Sequence, residues 1–342
     1  MAFELLDVTR TSSFRLRNCA SLLIACLGAC TPRSSDTRSG TEIESRFDNI
    51  PLAWTSDSSI LFGRVETRHG GDVMESVCDG TGLYEATSDG VIHRRAWGLA
   101  LCDVLSESAG VALDAARQRL LLSRKDPRRG LVEFDLNDNS SSVIREDCMA
   151  TSTTPSLSRG GAALAFGAVC GPNASPEILI SERDSAGTYR AARFQIPVQG
   201  DSPSWSPTGE QLAVHLGGDL LESTIVVVSR NGRQRLTLAK GFAPTWSPSG
   251  DWIAFKRFDE GTSVGPSIWI VREDGTGRRR LTSRADMPSV LQPNCWISTV
   301  VIWSPDGNSV AFGCDAELVA MNIRERTWRV WKAGIGVRRR LQ

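Results

Sequence analysis

Histidine is scarce in this chain: His69, His93 and His215 are the three in 342 residues. No two have the spacing that puts metal ligands on one helix face, and His-Glu-x-x-His does not occur. Gly-rich phosphate loops are also missing, so a nucleotide cradle is not indicated. Excess positive charge is missing too. Lys+Arg and Asp+Glu each total 39, and a balanced chain lacks the basic face that nucleic acid requires. The runs Arg278-Arg279-Arg280 and Arg338-Arg339-Arg340 are short and read as solvated edges. The acidic stretch Asp135-Leu136-Asn137-Asp138-Asn139 lacks the spacing and terminal Glu of an EF-hand, and reads as a turn.

The apolar run from Cys19 to Ala29 is too short to cross a bilayer as a mature helix. It follows Arg10, Arg15 and Arg17, the order of a secretory signal with a basic n-region and a short h-region. The run ends in Leu27-Gly28-Ala29-Cys30, which resembles the lipobox of bacterial lipoproteins. That resemblance implies cleavage before Cys30 and a lipid on its side chain. Residues 1–29 are then a lipoprotein signal peptide, and 30–41 are the lipidated cysteine and a tether. From Thr31 to Thr41 the tether is rich in Ser, Thr, Arg and Gly, so it cannot bury a core and should be flexible. Thr31 follows the cysteine in place of the Asp that retains family lipoproteins on the inner membrane. In a host with two membranes this favours the outer one.

Residues 42–342 hold an internal repeat, the first feature to seek in a chain of this length. Trp205-Ser206-Pro207-Thr208-Gly209, Trp246-Ser247-Pro248-Ser249-Gly250 and Trp303-Ser304-Pro305-Asp306-Gly307 align. Seven residues after each Trp comes an apolar strand: Leu212-Ala213-Val214, Ile253-Ala254-Phe255 and Val310-Ala311-Phe312. Weaker copies begin at Trp54, Leu113 and Leu157, which gives six units spaced 41 to 59 residues apart. Each unit carries further β-rich runs. In two units Asn231-Gly232 and Asp274-Gly275 join them, and such pairs supply the positive φ of tight hairpins. Four strands in each of six units predict an all-β fold, a six-bladed β-propeller of four-stranded antiparallel blades. The repeat resembles the TolB-like, WD40-like propellers of bacterial envelope proteins, most sharply over residues 203–313. TolB itself has a further α/β domain before its propeller, for which the short tether leaves no room. The repeat Trp residues read as blade core rather than as platforms for a ligand.

Six cysteines remain once Cys19, Cys26 and Cys30 are set aside: Cys78, Cys102, Cys148, Cys170, Cys295 and Cys314. An even count in an exported chain suggests disulfides, and no Cys-x-x-Cys spacing suggests zinc. With strands lettered A to D, the A–B and C–D turns lie on one face of the disc and the B–C and D–A loops on the other. All six cysteines fall on the second face, and nearest neighbours pair as Cys78–Cys102, Cys148–Cys170 and Cys295–Cys314.

That face also carries the two longest loops, residues 64–82 and 283–300, from blades adjacent in a closed ring. Loops on a rigid scaffold commonly carry function, so Arg68, His69, Asp72, Asp286, Asn294 and Trp296 form a candidate binding patch. The expected protein is a non-enzymatic envelope lipoprotein, a monomer that binds a protein or peptide partner and touches the membrane through its lipid. It uses no cofactor, no metal and no nucleic acid. The alternative is a propeller enzyme, lactonase-like or a quinone-dependent dehydrogenase, with a metal or cofactor in the channel. That would need acidic or His ligands on several A strands, which read as free of both apart from Asp114.

Overall fold

The computed structural model describes residues 44–332, apart from 57–58, 71–72, 97, 107, 125–129, 146–148, 152–153, 172–173, 186, 190–193, 218, 234, 260–264, 284–285, 292–294, 298–299 and 315–316. The strands form six four-stranded antiparallel blades around a central axis. Blade 1 is β1 (Glu44–Ser56), β2 (Ser59–Gly70), β3 (Val73–Ala86) and β4 (Ile92–Ala96). The helix α1 (Leu99–Ser106) leads to blade 2: β5 (Ser108–Asp114), β6 (Arg119–Arg124), β7 (Leu131–Asp135) and β8 (Ser141–Arg145). In blade 3 the A strand is split into β9 (Met149–Ala150) and β10 (Ser156–Leu157), followed by β11 (Ala163–Val169) and β12 (Glu177–Glu182). The long β13 (Phe194–Trp205) pairs with β12 through Phe194 to Gln199 and with the next strand through Gly200 to Trp205. It thus ends blade 3 and opens blade 4, whose other strands are β14 (Gln211–Leu216), β15 (Thr224–Ser229) and β16 (Arg235–Lys240). Blade 5 is β17 (Phe242–Trp246), β18 (Trp252–Arg257), β19 (Ser267–Arg272) and β20 (Arg279–Arg280). Blade 6 is β21 (Ile302–Trp303), β22 (Ser309–Cys314), β23 (Glu317–Asn322) and β24 (Trp328–Trp331).

The core lies between blades, because a strand's period of two sends alternate side chains to its two neighbours. On one face of the second strands of blades 3 to 6 sit Ala165, Ala213, Ala254 and Ala311; the other face carries large residues. Ala165 of blade 3 packs with Leu212 and Val214 of blade 4. Ala213 meets Ile253 and Phe255 of blade 5, and Ala254 meets Val310 and Phe312 of blade 6. Ala311 then meets Ile60 and Phe62 of blade 1, which closes the ring. Each large side chain buried this way contributes about 1.5–3 kcal/mol. Every blade is built from consecutive strands, so packing closes the ring, aided by Trp331 Nε1–H donating to Thr87 O at 2.7 Å.

The repeat motif is a turn held by its serine. In blade 4 Ser206 N–H donates to Gln211 O and Gly209 N–H to Ser206 O, both at 2.9 Å. Ser206 Oγ accepts Gln211 N–H at 3.1 Å. The same bond recurs at Ser247 with Trp252 N–H, at Ser304 with Ser309 N–H and at Ser158 with Ala163 N–H. Gly209, Gly250 and Gly307 take φ of 76°, 88° and 68°, which is why glycine ends the motif. The expected turn at Asp135–Asn139 is also present, with Asn137 and Ser140 N–H donating to Asp135 and Asp138 carboxylates.

Two expectations need correction. Residues 64–82 are not a loop: β2 and β3 continue as a ribbon from Arg64↔Gly82 to Gly70↔Val73. The A strands are not free of carboxylates beyond Asp114, because β13 starts early enough to include Asp201. The long connection expected at 283–300 has no strand among its described residues, and Leu291, Cys295 and Ile297 within it are buried in the core between blades 5 and 6.

Candidate functional site

On the face of the B–C and D–A connections, blade 1 rises above its neighbours. β2 has 12 residues where β14, β18 and β22 have 6. At about 3.3 Å per residue the surplus is a three-stranded finger of roughly 20 Å, with β1 on one side through Glu44↔His69 to Asn49↔Arg64. Arg64 anchors its base. The guanidinium lies 4.4 Å from the Tyr84 ring centroid, 5.4 Å from Phe47 and 5.5 Å from Phe62, and Nε donates to Asn49 Oδ1 at 3.2 Å. Burial holds the Arg64 pKa below its usual value. Gly80 lies under Glu66 and Phe47, where a Cβ would collide with both.

Disulfides brace this face. Cys78–Cys102 ties β3 of the finger to α1, with Cα atoms 5.3 Å apart. Cys295–Cys314 ties the segment before blade 6 to the end of β22, with Cα atoms 5.2 Å apart. Both are pairs expected from the sequence, and they mark an exported protein, since such bonds persist in oxidising compartments. Cys170 is also disulfide-bonded; Cys148, expected as its partner, lies outside the described residues.

The described members of the candidate patch are held by local partners. Arg68 pairs with Glu66 at 3.2 Å and Asp79 at 3.6 Å. Asp286 pairs with Arg326 at 2.8 Å and accepts Ser283 Oγ–H at 2.7 Å; these contacts keep its carboxyl below the usual range, the Ser283 bond foremost. Trp296 is half-buried, packs at 6.2 Å from the Phe258 ring and covers Gly265. His69 stands on β2 opposite Glu44 and Met74. Cys30, Asp72 and Asn294 lie outside the described residues.

Below the same face sits a buried polar group that sequence reading missed. Asp201 Oδ1 accepts Thr151 Oγ1–H and Ser202 N–H, each at 2.7 Å. A bulge after Asp201 sets Ser202 at φ 50°, and Ala243 repeats it at φ 50° in blade 5. Each precedes a proline, Pro203 or Pro244, and bulges of this kind re-aim side chains. Gly167 makes room, since a Cβ there would run into both Asp201 and Thr151. His215 pairs with Asp201 across the sheet, and its Nδ1 is buried without a partner. Burial lowers the His215 pKa, with Asp201 opposing the shift and Lys256 adding to it. Lys256, on β18, is pushed down to about 8 by burial, its Nζ 5.3 Å above the Phe242 ring centroid. Among the described residues no three His, Cys, Asp or Glu side chains gather closely enough to hold a metal.

The opposite face has a cavity of about 500 Å³ at the channel mouth, where the A strands of blades 3 to 6 end. The repeat motif supplies its wall: Trp205, Trp246 and Trp303 with Pro207, Pro248 and Pro305. The three indoles are buried, as a core role requires, at 6%, 6% and 7% exposure. They also clamp blades together. The backbone N–H groups of Trp205 and Trp246 donate to Ser156 and Ser204 Oγ of the preceding blade at 3.1 and 2.9 Å, and the indole Nε1–H of Trp303 donates to Thr245 O at 3.0 Å. Sequence reading assigned these Trp residues to core and stopped there. Ring closure gathers four turns around one opening, and no local pattern encodes that.

Solved structures of the same architecture fit this arrangement. A protein of Agrobacterium tumefaciens assigned as TolB superposes with a TM-score of 0.54 over 86% of this chain and 90% of that one, at 16% identity. This is a TolB-like six-bladed β-propeller. TolB of Acinetobacter baumannii matches the TolB-like propeller at a TM-score of 0.50 and 14% identity, over 84% of this chain and 65% of that longer one. An oligogalacturonate lyase in complex with manganese matches at 0.51 and 14% identity, over 83% and 77%. At such identities the likeness is one of fold. No protein-family model matches the chain, and no curated protein matches its sequence.

Proposed function

We propose that this TolB-like propeller is a non-enzymatic scaffold of the bacterial cell envelope, tethered by a lipid on Cys30, that holds a protein or peptide partner on its stapled face. The observation that carries the reading is the finger. A propeller blade closes without it, yet the chain extends β2 and β3 beyond the blade and fixes them to α1 through Cys78–Cys102. A rigid projection prepays the ordering cost of binding. The finger carries Arg68 and His69 near its tip, and Asp286 and Trp296 belong to the segment entering blade 6, which adjoins blade 1 in the ring. Asp72 and Asn294, next to them in sequence, complete the proposed patch. Outer-membrane placement in a two-membrane host belongs to the same reading.

Photo-crosslinking in cells tests it. A benzophenone side chain placed at Arg68 or Asp286 should give one shared adduct, while one at Leu236, exposed on the outer strand of blade 4, should give none. Adducts at Leu236 alone, or none at either stapled-face position, would refute the assignment. Cys30→Ala should release the protein from the membrane fraction, and retention there would rule out the lipid tether. The enzymatic alternative is tested by metal analysis of the purified protein together with a turnover screen on lactone and uronate substrates. Stoichiometric metal with turnover would replace the scaffold reading.

A further inference from the structure

We infer that the cavity on the turn face is a binding site for a small apolar monocarboxylate, separate from the stapled face. Its volume of about 500 Å³ lies within the range of small-molecule sites, about 300–1,000 Å³. The walls are mainly apolar, with three indoles, three proline rings, Leu157 and Ile302, and Ser206, Thr245 and Ser247 lie between them. One charge lines it, Arg159, and no carboxylate does. Arg159 is exposed on the blade 3 turn and makes no ion pair among the described residues, unlike Arg117 beside it, which pairs with Asp114 and donates to Gly160 O.

The chemistry of the lining selects the ligand. Burying an apolar body against indole and proline surface is favourable, whereas a sugar would leave hydroxyls facing walls that supply few partners. The three indoles are buried, which leaves little ring surface for a sugar to stack on. A guanidinium at the rim adds charge-assisted bonds to a carboxylate in bidentate geometry. A ligand that is apolar at one end and carboxylate at the other satisfies both parts of the site. Four turns from four blades form the wall, so the site exists once the ring closes and is as rigid as the ring.

Isothermal titration calorimetry on the purified protein tests this with 4-phenylbutyrate, its neutral amide and an N-acetylated tripeptide ending in phenylalanine. The acid should bind at one site per chain, and the amide at least about 10-fold more weakly, since hydrogen bonds to charged groups contribute about 1.5–3 kcal/mol. Arg159→Gln, a surface change, should lower acid affinity to the level of the amide. Ile302→Phe should abolish binding of both, with an unchanged melting profile showing that the variant is folded. No heat from the acid at millimolar concentration, equal binding of acid and amide, or an unaffected Arg159→Gln would each overturn the inference. Binding of the tripeptide without the free acid would overturn it in favour of a chain terminus as occupant.

Discussion

Ser206, Ser247 and Ser304 show how much one hydroxyl can do in a repeat. Each is buried, and each accepts the N–H that restarts the chain as a second strand. Replacing any one with Ala leaves a buried donor unmet, which costs about 1–3 kcal/mol. Urea unfolding of the three single variants should show losses in that range, and a loss below measurement error would mean that water replaces the hydroxyl. Lys256 makes a different prediction. Its folded pKa, about 8, lies below the unfolded value of 10.5, so the unfolded state binds more protons between the two. Stability therefore rises as pH increases from about 8 to 10.5, and the burial cost is fully present below 8. A shift of this size corresponds to roughly 3 kcal/mol. His215 adds the same sign lower down: its pKa is depressed below 6.5 by burial, so stability falls as pH drops through that value. Lys256→Met should flatten the alkaline rise in a pH series of urea midpoints; a rise that persists would place its source elsewhere.

The seam between blades 2 and 3 adds a buried ionic group to an apolar core of Leu121, Leu131, Leu164, Phe166 and Leu179. Arg183 reaches from the end of β12 to Asp114 at 3.1 Å and Glu133 at 3.5 Å, with all three side chains buried, and stacks 4.1 Å from the Tyr189 ring centroid. Removing one partner of a buried ion pair costs about 3–5 kcal/mol; here Arg117 and Arg119 still hold Asp114 and Glu133 once Arg183 is gone, which puts the expected loss at the lower end, about 3 kcal/mol. Arg183→Met should lose that much stability, while Asp114→Asn with Glu133→Gln and Arg183→Met together should recover part of it. The finger is the other element-scale test. Cys78→Ala with Cys102→Ala should raise amide exchange across residues 64–80 and leave β14 and β18 protected; unchanged exchange in the finger would show that packing at Arg64 suffices. These two elements also mark the limit of reading strands locally. The Trp-Ser-Pro turns were legible because their chemistry lies within five residues. The finger was not, although Gly70-Gly71 between β-branched runs is a hairpin signal, because its strands are polar and carry no core alternation. Asp201 was hidden by the bulge at Ser202, one residue before Pro203, which breaks the strand pattern there. The Arg183 group joins residues 50 and 69 positions apart, a separation at which single-chain periodicity says nothing.

The whole molecule has an orientation fixed by strand direction. An A strand runs from the D–A side to the A–B turn, so β1 enters blade 1 from the stapled face. A D strand runs back the same way, so β24 leaves toward that face as well. On the proposed reading, a lipid on Cys30 would be joined to Glu44 by about 14 residues, which reach at most about 50 Å when fully extended. An anchor at that distance would hold the stapled face nearer the bilayer and leave the turn face, with its Trp-lined mouth, pointing away. The two candidate sites then meet different surroundings. A partner on the finger binds close to the membrane surface, where membrane proteins and lipid-proximal segments are concentrated, and a small ligand reaches the turn face from the open aqueous side. Anchored protein on liposomes should distinguish the faces. A fluorophore at Arg68 should be quenched by a lipid-borne quencher more strongly than one at Asp306 in the blade 6 turn, and the difference should vanish when a longer flexible insert is placed within the tether. Equal quenching with the native tether would mean that the disc tumbles freely about its anchor, and the separation of the two faces by environment would be lost with it.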